Sequence, residues 1–173
     1  RLFHWPVVNC LPDCIRAIAR ADLVVFCPGS LMTGTVSALL TRGIQTALRV
    51  TKAPKVQIVN VMTHPGQTDG MSARDHIEAL STYLGIAPDA ALVNTRRPPE
   101  AWLRPYRKQG SEPVRLDVDG LRETRVIQAD LLEPAGKDVL ALYERASGTP
   151  LFTGLHSIRH DPTKLGRILR SFS

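Results

Sequence analysis

Two short segments gather the residue types that can do chemistry. The first reads Cys27-Pro28-Gly29-Ser30-Leu31-Met32-Thr33-Gly34-Thr35 and follows a continuous apolar run. Gly29 lets the backbone approach a ligand closely, while Ser30 and Thr33 offer hydroxyls at the start of a helix. Free N–H groups there, with the positive end of the helix dipole, favour phosphate or carboxylate. The segment lacks the spacing and the lysine of a Walker loop. Its plainer reading is a glycine turn with a serine N-cap.

The second segment, Thr63-His64-Pro65-Gly66-Gln67-Thr68-Asp69-Gly70, brings a proton carrier, a hydroxyl and a carboxylate within six residues at His64, Thr68 and Asp69. Asp75 and His76 follow on the first turn of the next helix. Asp69 and Asp75 could build a magnesium site, and either histidine could serve as a general base. The competing reading is capping, with Asp69 in an Asx-turn before Gly70 and Asp75 as the third-position partner of Ser72.

Elsewhere the chemistry is thin. No G-x-S-x-G nucleophile turn occurs, and no His/Cys set has a metal-ligand spacing. The three cysteines, Cys10, Cys14 and Cys27, read as reduced and partly buried thiols. A basic cluster at Arg96, Arg97, Arg104, Arg107 and Lys108 is interleaved by Trp102 and Tyr106. Nucleic-acid readers use such a pattern, but an i, i+4 aromatic pair also packs a helix on a core.

These loops need elements to hold them. Ala21 to Cys27 is an apolar run closed by Pro28-Gly29, the pattern of a strand buried on both faces of a parallel sheet. The spacing from Thr35 to Thr51 is helical, with Gly43 as a break. Lys55 to Met62 is a second β-branched strand, and Ser72 opens a helix that keeps Ile77, Leu80 and Leu84 on one face up to Gly85. Ala90 to Thr95 predicts a third strand and Pro99 to Gln109 a third helix. Val114 to Val118 and Arg125 to Ala129 read as shorter strands, and Pro162 to Phe172 as an amphipathic helix. Alternation of this kind implies an α/β fold with a mostly parallel sheet, whose ligands sit beyond the carboxyl ends of the strands. Both loops follow strands at that edge.

The whole chain is consistent with a single domain over residues 1–173. No apolar run reaches the ~18 residues of a membrane span, and the first ten residues do not read as a signal peptide. Its net charge of +6 and pI near 9.7 favour anionic partners.

The two loops carry a resemblance. CPGSLMTG from Cys27 and NVMTHPGQTDGMSARDH from Asn60 to His76 resemble the signatures of the gluconeogenesis-factor family (YvcK-like), relatives of 2-phospho-L-lactate transferase (CofD). Weaker echoes are LVN at Leu92 to Asn94, a G-x-E-P-V turn at Gly110 to Val114, and H-D-P-x-K-L at His160 to Leu165. The resemblance implies a cytoplasmic, Rossmann-like three-layer sandwich that binds a nucleotide or UDP-sugar and regulates cell-wall precursor and carbon flux. The transferase relatives join a phospholactyl group to a deazaflavin acceptor with magnesium. By the same resemblance Gly29, Ser30 and Thr33 border the phosphates. Asn60, His64, Gly66, Thr68, Asp69, Met71, Asp75 and His76 belong to the same site, with Asp69 and Asp75 as the candidate metal ligands.

This sequence departs from the pattern at Cys27, where the family has glycine, at Met32 and Met71 in place of tyrosines, and at His64 in place of glutamine. The Gly-rich turn with which the family begins is also absent. The expectation is that this chain contributes the C-terminal part of a nucleotide-binding domain. Either the sequence is an incomplete fragment, or a second chain or self-association supplies the other half. No membrane is expected as partner, and nucleic-acid binding through the Arg96–Lys108 face is the less favoured alternative.

Overall fold

The computed structural model describes residues 2–3, 5–134 and 158–172. Four short strands follow the β-branched runs: β1 (Val24–Phe26), β2 (Lys55–Ile58), β3 (Ala90–Asn94) and β4 (Arg125–Ala129). They form one all-parallel sheet in the order β1-β2-β3-β4, with Val25 opposite Val56, Gln57 opposite Ala91, and Ala91 opposite Val126. A parallel sheet in sequential order sends its right-handed crossovers over one face. Here they are a π-helical turn (Leu31–Val36) leading into α2 (Ser37–Leu39) and α3 (Ile44–Val50), then α4 (Ala73–Leu84), then α5 (Glu100–Lys108).

Strand alternation divides the core between the two faces. On the crossover face Phe26 packs with Leu39, Leu48, Leu80 and Leu84, and Val59, Ala91 and Val93 pack with Ala73 and Ile77. On the far face Val56, Ile58, Ala90, Leu92 and Leu131 are covered by Leu165, Ile168, Leu169 and Phe172 of the C-terminal segment. That segment holds α6 (Pro162–Leu169), started by Asp161, whose carboxylate accepts from the Thr163 and Lys164 amides at 2.8 and 3.1 Å. The result is a three-layer α/β sandwich, as the sequence predicts. No helix among the described residues is long and apolar enough to cross a membrane.

The helical stretch over residues 35–51 breaks at Gly43, as expected, where φ is 100° and a Cβ would lie 3.3 Å from Ile15 Cδ1. Three features differ from the sequence reading. Ile15 belongs to α1 (Pro12–Ala19), an unforeseen helix with no buried residue that packs on α3. The strand expected at Val114 to Val118 is not one. Its backbone instead accepts from the first amides of α4, Arg115 O from Ala73 N and Asp117 O from Arg74 N, both at 2.9 Å. The cysteines are more open than expected, with Cys10 half-buried and Cys14 and Cys27 exposed.

Candidate functional site: the cleft at the carboxyl edge of the sheet

β1 and β2 end side by side, so their following loops meet. Asn60, two residues past β2, clasps the first loop at one residue. Its Oδ1 accepts from Gly29 N at 3.2 Å, and its Nδ2 donates to Gly29 O at 2.6 Å. Ser30 caps the π-helical turn, its Oγ accepting from Thr33 N at 3.2 Å and lying 2.5 Å from Thr33 Oγ1. The same Oγ donates to Gln67 Oε1 of the second loop at 2.6 Å. One amide and one hydroxyl thus tie the two loops together.

Beyond this clasp opens a cleft of about 700 Å³. Gly29, Ser30, Asn60 and His64 form its loop side, Tyr106 of α5 its opposite wall, and Arg159 and His160 its closing side. The lining is mostly apolar with a few convergent polar groups, the usual make-up of a small-molecule site. Tyr106 fixes the closing side, because its buried hydroxyl accepts from Ile158 N at 3.0 Å. Arg159 pairs with Glu133. His160 is tied to the Val59 backbone, and burial pulls its pKa down to about 4, so its imidazole is neutral near pH 7. The sequence signal for this histidine is the H-D-P-x-K-L run, one of the weaker family echoes.

Other sequence-predicted residues serve the second loop and are not among those lining this cleft. Thr68 is fully buried, its Oγ1 accepting from His64 N at 2.7 Å. Asp69 Oδ2 accepts from Gly66 N at 2.7 Å, next to Gly66 and Gly70 at φ 77° and 69°. Met71 closes the turn, its amide donating to Thr68 O at 3.1 Å. Asp75 and Ser72 form the expected capping box, with Asp75 Oδ2 accepting from Ser72 N at 2.7 Å and Ser72 Oγ at 2.8 Å. Those two hydrogen bonds, the backbone one foremost, hold the Asp75 carboxyl below its ordinary range. His76 is buried at 1% exposure, its Nδ1 2.8 Å from Ser72 O, and burial lowers its pKa.

The candidate magnesium ligands Asp69 and Asp75 both act as caps in this fold. Asp69 and Asp75 each spend an oxygen on donors of their own turn, and the described residues hold no group of three or more His, Cys, Asp or Glu placed to bind a metal. The basic helix offers no stacking platform either. Trp102 and Tyr106 are buried at 5% and 3% exposure within the core, and Arg107 is engaged by Glu100 and Glu112.

A Rossmann-like α/β sheet with a ligand-sized cleft at its carboxyl edge defines the class of protein. Residues 3–132 match the family described as 2-phospho-L-lactate transferase CofD, and the chain belongs to that family. A gluconeogenesis-factor relative from Thermotoga maritima is 35% identical over 166 residues, covering 96% of this chain and 48% of the relative. The gluconeogenesis factor of Bacillus subtilis is 37% identical over 124 residues, covering 70% of this chain and 39% of its own. A crystal structure of a Bacillus halodurans protein is similar with a TM-score of 0.82 at 28% identity, covering 98% of this chain and 50% of that one. The chain therefore spans about half the length of the relatives it matches, or somewhat less.

Proposed function

We propose that the cleft forms one wall of a site for a nucleotide or UDP-sugar, in a cytoplasmic regulator of the gluconeogenesis-factor type acting on cell-wall precursor and carbon flux. The observation that carries this reading is the Asn60 clasp on Gly29, which holds an uncharged glycine loop open beside a largely apolar cleft. A loop of that kind receives phosphate oxygens, and the apolar wall suits a planar base or sugar. This chain spans only about half the length of its relatives, so the other wall is expected from residues outside it. Titration calorimetry with UDP-N-acetylglucosamine tests the proposal, on the chain alone and fused to the Gly-rich half of a family member. Saturating heat in the fusion, weaker in the chain alone, is expected. No heat at millimolar ligand in either sample would overturn it.

A second reading, transfer of a phospholactyl-type group to a deazaflavin acceptor, is favoured by the family match itself. It requires Asp69 or Asp75 to turn from its own loop toward magnesium. Incubation of the fusion with acceptor, activated donor and magnesium, followed by mass spectrometry, distinguishes the readings. Product whose formation stops with a chelator supports transfer, and an unmodified acceptor removes it.

A further inference from the structure

Three buried side-chain atoms of the described residues have no hydrogen-bond partner: one is Nε2 of His160 in the cleft lining, and the other two share one small cavity. These two are Nε2 of His76 and Oε1 of Gln57. Gln57 and His76, both nearly inaccessible, form one side of a cavity of about 10 Å³ directly behind the Gly29 loop. Cys27, Gly29, Leu31 and Thr35 form the loop side. Native proteins seldom leave buried polar atoms unsatisfied, so the pair calls for an explanation.

Both atoms are hydrogen-bond acceptors, and the surrounding bonds fix this. Gln57 Nε2 lies 3.1 Å from His76 O, which can only accept, so the amide nitrogen faces that carbonyl and Oε1 points elsewhere. His76 Nδ1 lies 2.8 Å from Ser72 O, again acceptor-only, so Nδ1 carries the ring proton. Burial keeps the ring neutral, which leaves a lone pair on Nε2. Two lone pairs beside a cavity of this size call for one small molecule with two protons to donate, and a single water satisfies both.

We propose that one ordered water, donating to His76 Nε2 and Gln57 Oε1, fills this cavity and props the Gly29 loop from behind. The water's own lone pairs face the loop side, where Thr35 carries a hydroxyl. His76 then acts on the loop from α4 without touching the ligand. This inference does not depend on which ligand occupies the cleft.

High-resolution crystallography of the chain provides the first test. The expected result is a density peak within about 2.7–3.2 Å of both atoms. A dry cavity, or either side chain rotated onto a protein donor, would overturn the assignment. Nitrogen NMR of the histidines should show His76 as the neutral tautomer protonated at Nδ1, and a proton on Nε2 would defeat the proposal equally. Hydrogen exchange then tests the prop. His76→Phe keeps the ring volume without the acceptor, and should speed exchange of the residue 29–35 amides roughly tenfold while β3 amides hold their rates. Should that variant fail to fold, Gln57→Met reads the same amides. Unchanged loop exchange in a folded variant refutes the prop.

Discussion

At the scale of single residues, the site turns on side chains that hold backbone. Asn60 is the clearest case, because one amide satisfies both the N–H and the C=O of Gly29. An Asn60→Ala change removes both bonds, each worth ~0.5–1.5 kcal/mol, and leaves the loop free to close over its own phosphate-facing amides. We expect roughly tenfold weaker binding of UDP-N-acetylglucosamine by calorimetry, on the reading proposed above. An affinity equal to that of the parent would place the clasp outside the site. His160 makes a separate prediction about pH. Its folded pKa of about 4 lies below the ordinary 6.5, so between those values the unfolded chain holds more protons. Stability is therefore fully present above pH 6.5 and falls as pH drops through that window. Replacing His160 with Gln should flatten the fall in urea midpoint between about pH 7 and 4.5. A residual slope is expected from His76, whose burial acts in the same direction. A slope as steep as the parent's would mean that His160 is not neutral in the fold. Asn60 was legible in the sequence through its motif, and His160 only dimly. Its tether is Val59, far along the chain, and no local spacing announces such a partner. Gln57 was legible in principle, as the polar residue inside the run KVQIVNVM.

At the scale of elements, local rules worked where an element carries its own caps. Helix α4 shows this from end to end. Ser72 and Asp75 start it, Ile77, Leu80 and Leu84 bury its face, and Gly85 ends it at φ 82°. Removing the cap as Asp75→Ala should cost ~1–2 kcal/mol, read as a lower midpoint in chemical denaturation at neutral pH. The effect has a defined pH signature. The Asp75 carboxyl ionises below its ordinary value of 3.8, so its contribution is complete above that pH and is lost as pH falls through the lower folded value. Parent and variant should therefore converge in strong acid, and a gap that persists there would point to lost packing instead. Segment 114–118 escaped local reading for the opposite reason. Alternating Val114, Leu116 and Val118 look like a strand, yet the backbone caps the N-terminus of α4, a use that depends on tertiary placement. The short α1 escaped because it has no fully buried residue and only two turns of periodicity, with Ile15 and Ile18 half-buried on its inner face.

At the scale of the whole molecule, the parallel α/β layering was legible from the alternation of segments, whereas the strand order was not, since periodicity does not say which strand lies beside which. The N-terminal stretch raises a question of association. Phe3, Trp5 and Val7 are 78%, 87% and 64% exposed, although the Leu2 amide is anchored to the Tyr83 hydroxyl at 3.0 Å. Large apolar side chains grouped in this way mark contact surfaces. Sedimentation velocity should show concentration-dependent association that Phe3→Ser and Trp5→Ser together diminish. A single monomeric species at every concentration, for parent and variant alike, would remove this surface from any assembly.

The sequential strand order also bears on how the chain is made. Each strand lies beside its neighbour in sequence, so the sheet can lengthen one βα unit at a time as the polypeptide leaves the ribosome. The crossover helices arrive with their strands and shield one side at once. The opposite side, with Val56, Ile58 and Leu92, waits for residues 162–172 to be translated. Until then the nascent chain shows a bare apolar surface, and that interval is when a chaperone would have the most to hold.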